Sequence, residues 1–157
     1  MSRICLFIDG SVNPQLRIGY GAYFILFDKD LLSNSIKPKI YTKKFINTSS
    51  TKLELEVLLW ALEDKIVQKY PILIYTDCQN ILSLESRRVR FESNDYYTRK
   101  NKQITNHKLY KEFYKKLDEL DCEFTKVKGH KVMCQKDQID KLFALVDKAS
   151  RNALRTQ

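Results

Sequence analysis

The chain has 157 residues, close to the length of one domain and enough to bury a core without disulfides or metals. Its 28 lysines and arginines exceed 19 aspartates and glutamates, a formal charge of +9, while 43% hydrophobic residues exclude a disordered basic tail. Ten of those basic residues and three acids fall within residues 87–116, which concentrates +7 in one segment. A local excess of that kind suits a polyanion, because neutralised phosphates release counterions.

The N-terminal apolar run ends at Asp9, too short for a signal peptide or for a membrane span, which needs ~18 apolar residues. A cytoplasmic protein with no membrane partner is expected. Cys5, Cys78, Cys122 and Cys134 are scattered, with no C-x-x-C and no histidine at zinc spacing, and read as reduced structural residues. No glycine-rich nucleotide loop and no internal repeat occurs.

In chain order, residues 3–9 are predicted as a strand stopping at Asp9-Gly10-Ser11, and residues 19–27 as a second. Asp28-Lys29-Asp30 is expected to be a hairpin turn into a third strand at residues 39–46. Residues 52–69 hold strong helix formers, with Leu55, Leu58, Leu59, Leu62 and Ile66 at helical spacing, and Tyr70-Pro71 ends them. A strand at residues 72–76 stops at Asp77, and a short helix is expected to about Ser86. Residues 87–105 show no clear periodicity and predict no further helix. A helix at residues 107–120, a strand at 122–127, a loop at 128–136 and a final helix at 137–154 complete the order βββαβαβα. That order implies an α/β sheet that begins antiparallel and continues through helical crossovers.

Asp9 and Asp77 each end an apolar strand, where side chains leave a sheet and ligands bind. Either could instead serve as a turn former or helix cap. On a helix of 100° per residue, Glu54 lies about 40° from Leu58, whereas Glu56 and Glu63 point away. A carboxylate beside a buried face is costly unless it is bound to a metal or paired, for instance with Lys65.

Five segments, Ile8-Asp-Gly-Ser-Val-Asn-Pro14, Gly19-Tyr-Gly-Ala22, Thr51-Lys-Leu-Glu-Leu55 with Ala61-Leu-Glu63, Tyr75-Thr-Asp-Cys-Gln79 and Val127-Lys-Gly-His130, resemble type 1 ribonuclease H in order and spacing. The resemblance covers nearly the whole chain. It implies a single ribonuclease H domain over residues 1–157, with a five-stranded mixed sheet whose first three strands are antiparallel, flanked by helices. It also implies hydrolysis of the RNA strand of RNA/DNA hybrids with two Mg²⁺ ions, Mn²⁺ being a substitute, by a monomer. An all-oxygen donor set fits such ions, and a pair of them suits in-line displacement at phosphorus.

By the family pattern, Asp9, Glu54 and Asp77 hold metal, and His130 assists proton transfer. The fourth acid departs from the pattern. Asp140 has the usual spacing after His130, whereas Asp147-Lys-Ala-Ser-Arg151 matches the D-x-L-A-R pattern of cellular enzymes. Seven residues apart, they share a helix face within ~20°, so facing does not separate them. Asp140 has an alternative task in a helix cap with Asp137, and Asp147 is carried forward. Gly10, Ser11, Asn13, Ser50, Thr51 and Gln79 fall at or beside hybrid-contacting positions. Arg87, Arg88 and Arg90 stand where cellular relatives grip the DNA strand, with Tyr96 or Tyr97 as stacking candidates. The competing reading is a non-catalytic binder of hybrid or double-stranded RNA on the same scaffold.

Overall fold

In the computed structural model, which describes residues 2–33, 35, 37–128 and 137–156, β1 (Ile4–Asn13) sorts the molecule into two faces. Its alternation sends Ile4, Leu6 and Ile8 into one buried cluster and Cys5 and Phe7 into another, as a period of two demands. β1 is central in a five-stranded sheet of order β3-β2-β1-β4-β5. β2 (Ile18–Phe27) and β3 (Tyr41–Ile46) pair antiparallel, and β4 (Ile72–Thr76) and β5 (Cys122–Lys126) pair in parallel. The helices are α1 (Ser50–Leu62), α2 (Gln79–Ser93), α3 (His107–Glu119) and α4 (Gln138–Arg155). The mixed sheet with three antiparallel strands is the expected fold.

One face packs Leu53, Leu58, Leu62, Phe113 and Tyr114 of α1 and α3 against Ile4, Leu6 and Ile8. The other packs Leu142, Phe143 and Val146 of α4 against an aromatic row across three strands. There Phe7 stacks on Phe24 at 4.7 Å and on Tyr75 at 4.6 Å between ring centroids. Each such pair adds ~0.5–1.5 kcal/mol beyond area burial.

Four local expectations are corrected. β1 does not stop at Asp9-Gly10-Ser11, because its antiparallel ladder with β2 continues to Asn13↔Ile18. Its parallel ladder with β4 ends earlier, at Phe7↔Tyr75. Asp28–Asp30 is a short 3-10 turn rather than a tight hairpin, and the chain runs on until β3 opens at Tyr41. α1 ends at Leu62, not near residue 69: Asp64 accepts from the Ile66 amide (3.0 Å) and the Tyr23 hydroxyl (2.8 Å), which turns the chain and leaves Ile66 exposed.

The largest correction is α2, which continues through Ser93 and so places Arg87, Arg88 and Arg90 on a helix. Ile81, Leu84 and Phe91 are its buried residues. Arg88 occupies the position that would complete their stripe, its guanidinium 5.1 Å from the Tyr114 ring centroid and bonded to both Asp118 oxygens at 2.7 Å. A charged residue over a core aromatic removes the helix from a reading based on hydropathy. Beyond α2, residues 94–106 are folded. The Tyr96 amide donates to Phe91 O (2.9 Å), the Ile104 amide to Tyr96 O (2.8 Å) and the Thr98 amide to Lys102 O (2.7 Å). Asp95, Tyr96, Asn101 and Asn106 all have positive φ there.

Helix α1 sits close on the sheet because a glycine lies beneath it. A Cβ on Gly21 would lie 2.2 Å from Val57 Cγ2 and 3.1 Å from Val57 Cβ. Gly21→Ala is expected to lower stability by about 1–3 kcal/mol in urea unfolding, as overpacking does. An unchanged midpoint would contradict this close seat.

Candidate active site

Unequal strand pairing makes a notch. Asp9 lies two residues past the last β1–β4 pair, still opposite Ala22 of β2, and is only 5% exposed. By alternation it belongs with Cys5 and Phe7 on the α4 side.

Glu54 reaches the notch from the other face. Ser49 caps α1, its hydroxyl accepting from the Lys52 amide at 3.3 Å, and this start places Leu53 over Gly10 and Gly19. A Cβ on Gly10 would press on Leu53 at 3.0 Å and meet Glu54 Oε1 in ordinary contact at 3.5 Å, so the glycine seats the start of α1 with Glu54 beside β1. Glu54 Oε2 is buried without a hydrogen-bond partner, so no lysine neutralises that oxygen. Asp77 follows β4, and the N-cap of α2 is Cys78, whose amide donates to Thr76 Oγ1 at 3.1 Å.

The electrostatics show that these acids share one place. Burial pushes the Glu54 carboxyl up to about 8, helped by the charge of Asp77. Asp9 is raised further, first by burial, then by the charges of Glu54 and Asp77, and by a hydrogen bond with Asp147. Desolvation and like charge both disfavour the ionised form.

Asp147 and Asp140 are thereby distinguished in space. Asp140 forms a reciprocal capping box: its amide donates to Asp137 Oδ1 (2.8 Å), and its own Oδ2 accepts from the Asp137 amide (3.2 Å). Asp147, two turns along α4, meets Asp9 and also takes Arg151 across both oxygens, Nε to Oδ1 at 3.0 Å and Nη2 to Oδ2 at 2.6 Å. The sequence reading did not single out Arg151, although its spacing of four from Asp147 was a signal. His130 lies outside the described residues.

The other candidate residues ring the notch or lie along one side of it. Gly10 and Ser11 continue β1 opposite Gly21 and Tyr20. Asn13 Oδ1 accepts from the Gln15 and Leu16 amides at 3.1 and 3.2 Å, shaping the turn into β2. Gln79 opens α2, and its Oε1 accepts from Lys126 Nζ at 3.3 Å. Ser50 and Thr51 begin α1. Thr51 and Ser49 line an open cavity of about 800 Å³, facing Thr98, Arg99, Lys100, Lys102 and Asn106 from the folded segment. Ser49, Thr98 and Asn106 were not recognised in the sequence, because this cavity forms only once residues 94–106 fold back.

The three arginines separate. Arg87 donates to Asn80 Oδ1 at 2.6 Å, and Arg88 is held by Asp118 and Glu92. Arg90 lines a second cavity of about 510 Å³ with Asn94, Tyr97, Arg99 and Asn101. Of the stacking candidates, Tyr96 is 6% exposed and Tyr97 is 42% exposed, which leaves only Tyr97 with a reachable ring.

The donor set is oxygen only and includes a bare buried carboxylate oxygen, the chemistry a hard divalent cation requires. Among the described residues, no three acid, His or Cys side chains lie close enough together to form a ready-made ligand cage. The residues therefore fit such an ion by the chemistry of their donors, and their carboxylates must close in to hold it.

The sequence model of the RNase H family matches residues 1–147. The chain belongs to the RNase H family. No curated protein matches it in sequence. Among solved structures it is similar to LC9-RNase H1, a type 1 RNase H with the type 2 active-site motif, with TM-score 0.67 and 18% identity over 96% of this chain and 72% of that one. It is also similar to the foamy viral protease-reverse transcriptase in complex with dsDNA, with TM-score 0.59 and 14% identity over 95% of this chain and 93% of that one. At such identities the likeness is one of fold, and the fold is ribonuclease H-like. Family and fold together support a nuclease acting on RNA/DNA hybrids. No described helix is long and apolar enough to cross a membrane.

The raised carboxyl groups fix the sign of a pH effect. Folded Asp9 and Glu54 hold protons that the unfolded chain releases near pH 4, so their contribution to stability is full below that pH and is lost as pH rises through about 8. With divalent ions chelated, the wild-type Tm is expected to fall between pH 5 and 9. Asp9→Asn, which removes the repulsion, is expected to flatten that fall and raise Tm at pH 8 by a few degrees. A wild-type Tm independent of pH in that range would refute the electrostatic account.

Proposed function

We propose that this RNase H-family protein is an endoribonuclease that hydrolyses the RNA strand of RNA/DNA hybrids with two divalent cations, Mg²⁺ or in its place Mn²⁺. The observation that supports the reading best is the bare, buried Glu54 oxygen aimed into the notch beside Asp9. Such an arrangement is costly in a protein with no cation to bind.

In this reading Asp9 is shared between the two cation sites, with Glu54 and Asp77 completing one and Asp147 the other. The ions, when bound, supply a low-pKa water and charge neutralisation at the phosphate. The chain's own residues do the rest. Asp9 and Glu54 must give up their protons for the site to load, which makes loading favourable toward higher pH. His130, carried over from the family pattern, takes or delivers a proton.

Positioning comes from both sides of the notch. Asn13 and Gln79 have their amide oxygens engaged, by backbone amides and by Lys126 respectively, which leaves the NH₂ group of each as the donor it can offer a substrate. The minor groove offers an acceptor at every base pair and, on the RNA strand, 2′-hydroxyls, so amide donors read it without demanding sequence. Arg99, Lys100 and Lys102 with Ser49 and Thr51 line a cavity of suitable chemistry for backbone phosphate. Arg90 extends that surface, whereas Arg87 and Arg88 are engaged within the protein.

One observation favours the second reading, a hybrid-binding module without catalysis: the acids do not form a closed ligand cage among the described residues. Cleavage of a labelled RNA/DNA hybrid in Mg²⁺ decides between them. Cleavage of the RNA strand is expected, with Asp147→Asn lowering kcat at least about a hundredfold and Asp140→Asn lowering mainly Tm, as loss of a cap does. Binding without cleavage in any divalent metal would establish the second reading, and full activity in Asp147→Asn would remove Asp147 from the site.

The cavity makes a separate prediction. Neutralising Arg99, Lys100 and Lys102 together is expected to raise KM about tenfold or more at low salt and to flatten its dependence on salt, with kcat little changed. An unchanged salt slope would show that phosphate is gripped elsewhere.

A further inference from the structure

We propose that Arg151 is a positioning residue that competes with the second cation for Asp147, so that this ion binds more weakly than the first. The inference rests on the reading of the four acids as a cation site.

Arg151 and Asp147 are a helical i,i+4 pair with side chains 44% and 33% exposed. Such pairs ordinarily contribute a few tenths of a kcal/mol. Two features set this one apart. The guanidinium engages both carboxylate oxygens, at 3.0 and 2.6 Å, in the planar fork that gives charge-assisted bonds their strength. The same carboxylate is also joined to Asp9, which in turn feels the charges of Glu54 and Asp77. The positive charge therefore stands at the rim of a crowded anionic cluster.

The two ends of the cluster are unequal as a result. Glu54 offers an oxygen with no hydrogen-bond partner, ready for an ion. Asp147 offers oxygens that each already carry an N–H bond. A carboxylate has about four lone-pair positions, and the fork takes two of them. An ion approaching Asp147 must displace an N–H or bind beside a fixed positive charge, and both lower its affinity. In exchange, the guanidinium offsets repulsion among the acids when no ion is held. Arg151 thus sets the order of loading: the Glu54 side first, the Asp147 side second.

The test is calorimetric titration of the purified 157-residue chain with Mg²⁺, and with Mn²⁺ as the stronger-binding probe, without nucleic acid. The wild type is expected to show a tighter and a weaker site. In Arg151→Gln the weaker site is expected to tighten about tenfold while the tighter one is unchanged. Arg151→Lys, which keeps the charge but loses the fork, should fall between them. A purely structural salt bridge would shift Tm slightly and leave both affinities in place. Two wild-type sites with the weaker one unchanged or weakened in Arg151→Gln overturn this inference alone. A wild type that binds neither ion overturns the cation-site reading and the inference with it.

Discussion

Carboxylates repel, and Asp9 and Glu54 are held where little water can separate their charges. Much of the architecture around them serves to enforce that approach. β1 outruns β4 so that Asp9 has a strand on one side and a notch on the other. α1 is capped at Ser49 and seated against glycines, which brings Glu54 in from the opposite face. α4 is fixed at its start by the Asp137–Asp140 box and along its length by Leu142, Phe143 and Val146, which sets the height of Asp147. These elements are held by ladder bonds, caps and apolar contacts, and that packing is what keeps the acids together against their repulsion.

Basic charge and binding charge are different quantities in this molecule. The +7 of residues 87–116 looks in sequence like one phosphate-gripping surface. In the structure, Arg88 ties α2 to α3 through Asp118, and Lys116 reaches Glu63 at 2.8 Å. Arg87 is bound to Asn80 within its own helix. Arg90, Arg99, Lys100 and Lys102 line the two cavities, and Lys108, Lys111 and Lys115 are exposed as well. Three of the ten basic residues in that segment, Arg87, Arg88 and Lys116, are scaffold.

The chain order of strands and helices, the two acids at strand ends and the turn of Glu54 toward the sheet were legible in the sequence from period and helical angle, and the grouping of Asp9, Glu54 and Asp77 was implied by the family resemblance. What was not legible depended on partners distant in sequence. The reach of β1 past Asp9 is decided by β2, and the end of α1 by Tyr23 bonding Asp64. The length of α2 was hidden by Arg88, whose role is set by Tyr114 and Asp118, thirty or so residues later. Asp140 and Asp147 share a face, so only the distance along α4 to Asp9 could separate them.

The folded segment at residues 94–106 carries a consequence for recognition. Four non-glycine residues there adopt left-handed backbone, a conformation that disfavours the stretch as an isolated peptide and persists because the turn is closed by its own amide bonds and anchored by the buried Tyr96 ring. Freezing a loop on contact with a ligand ordinarily subtracts from affinity in proportion to the rotational freedom lost. Here that freedom is given up during folding, before any nucleic acid arrives. Under the proposed function, the segment would meet a duplex as a rigid template rather than an adaptable arm, which favours partners of one helical width and discriminates against those that would need it to bend.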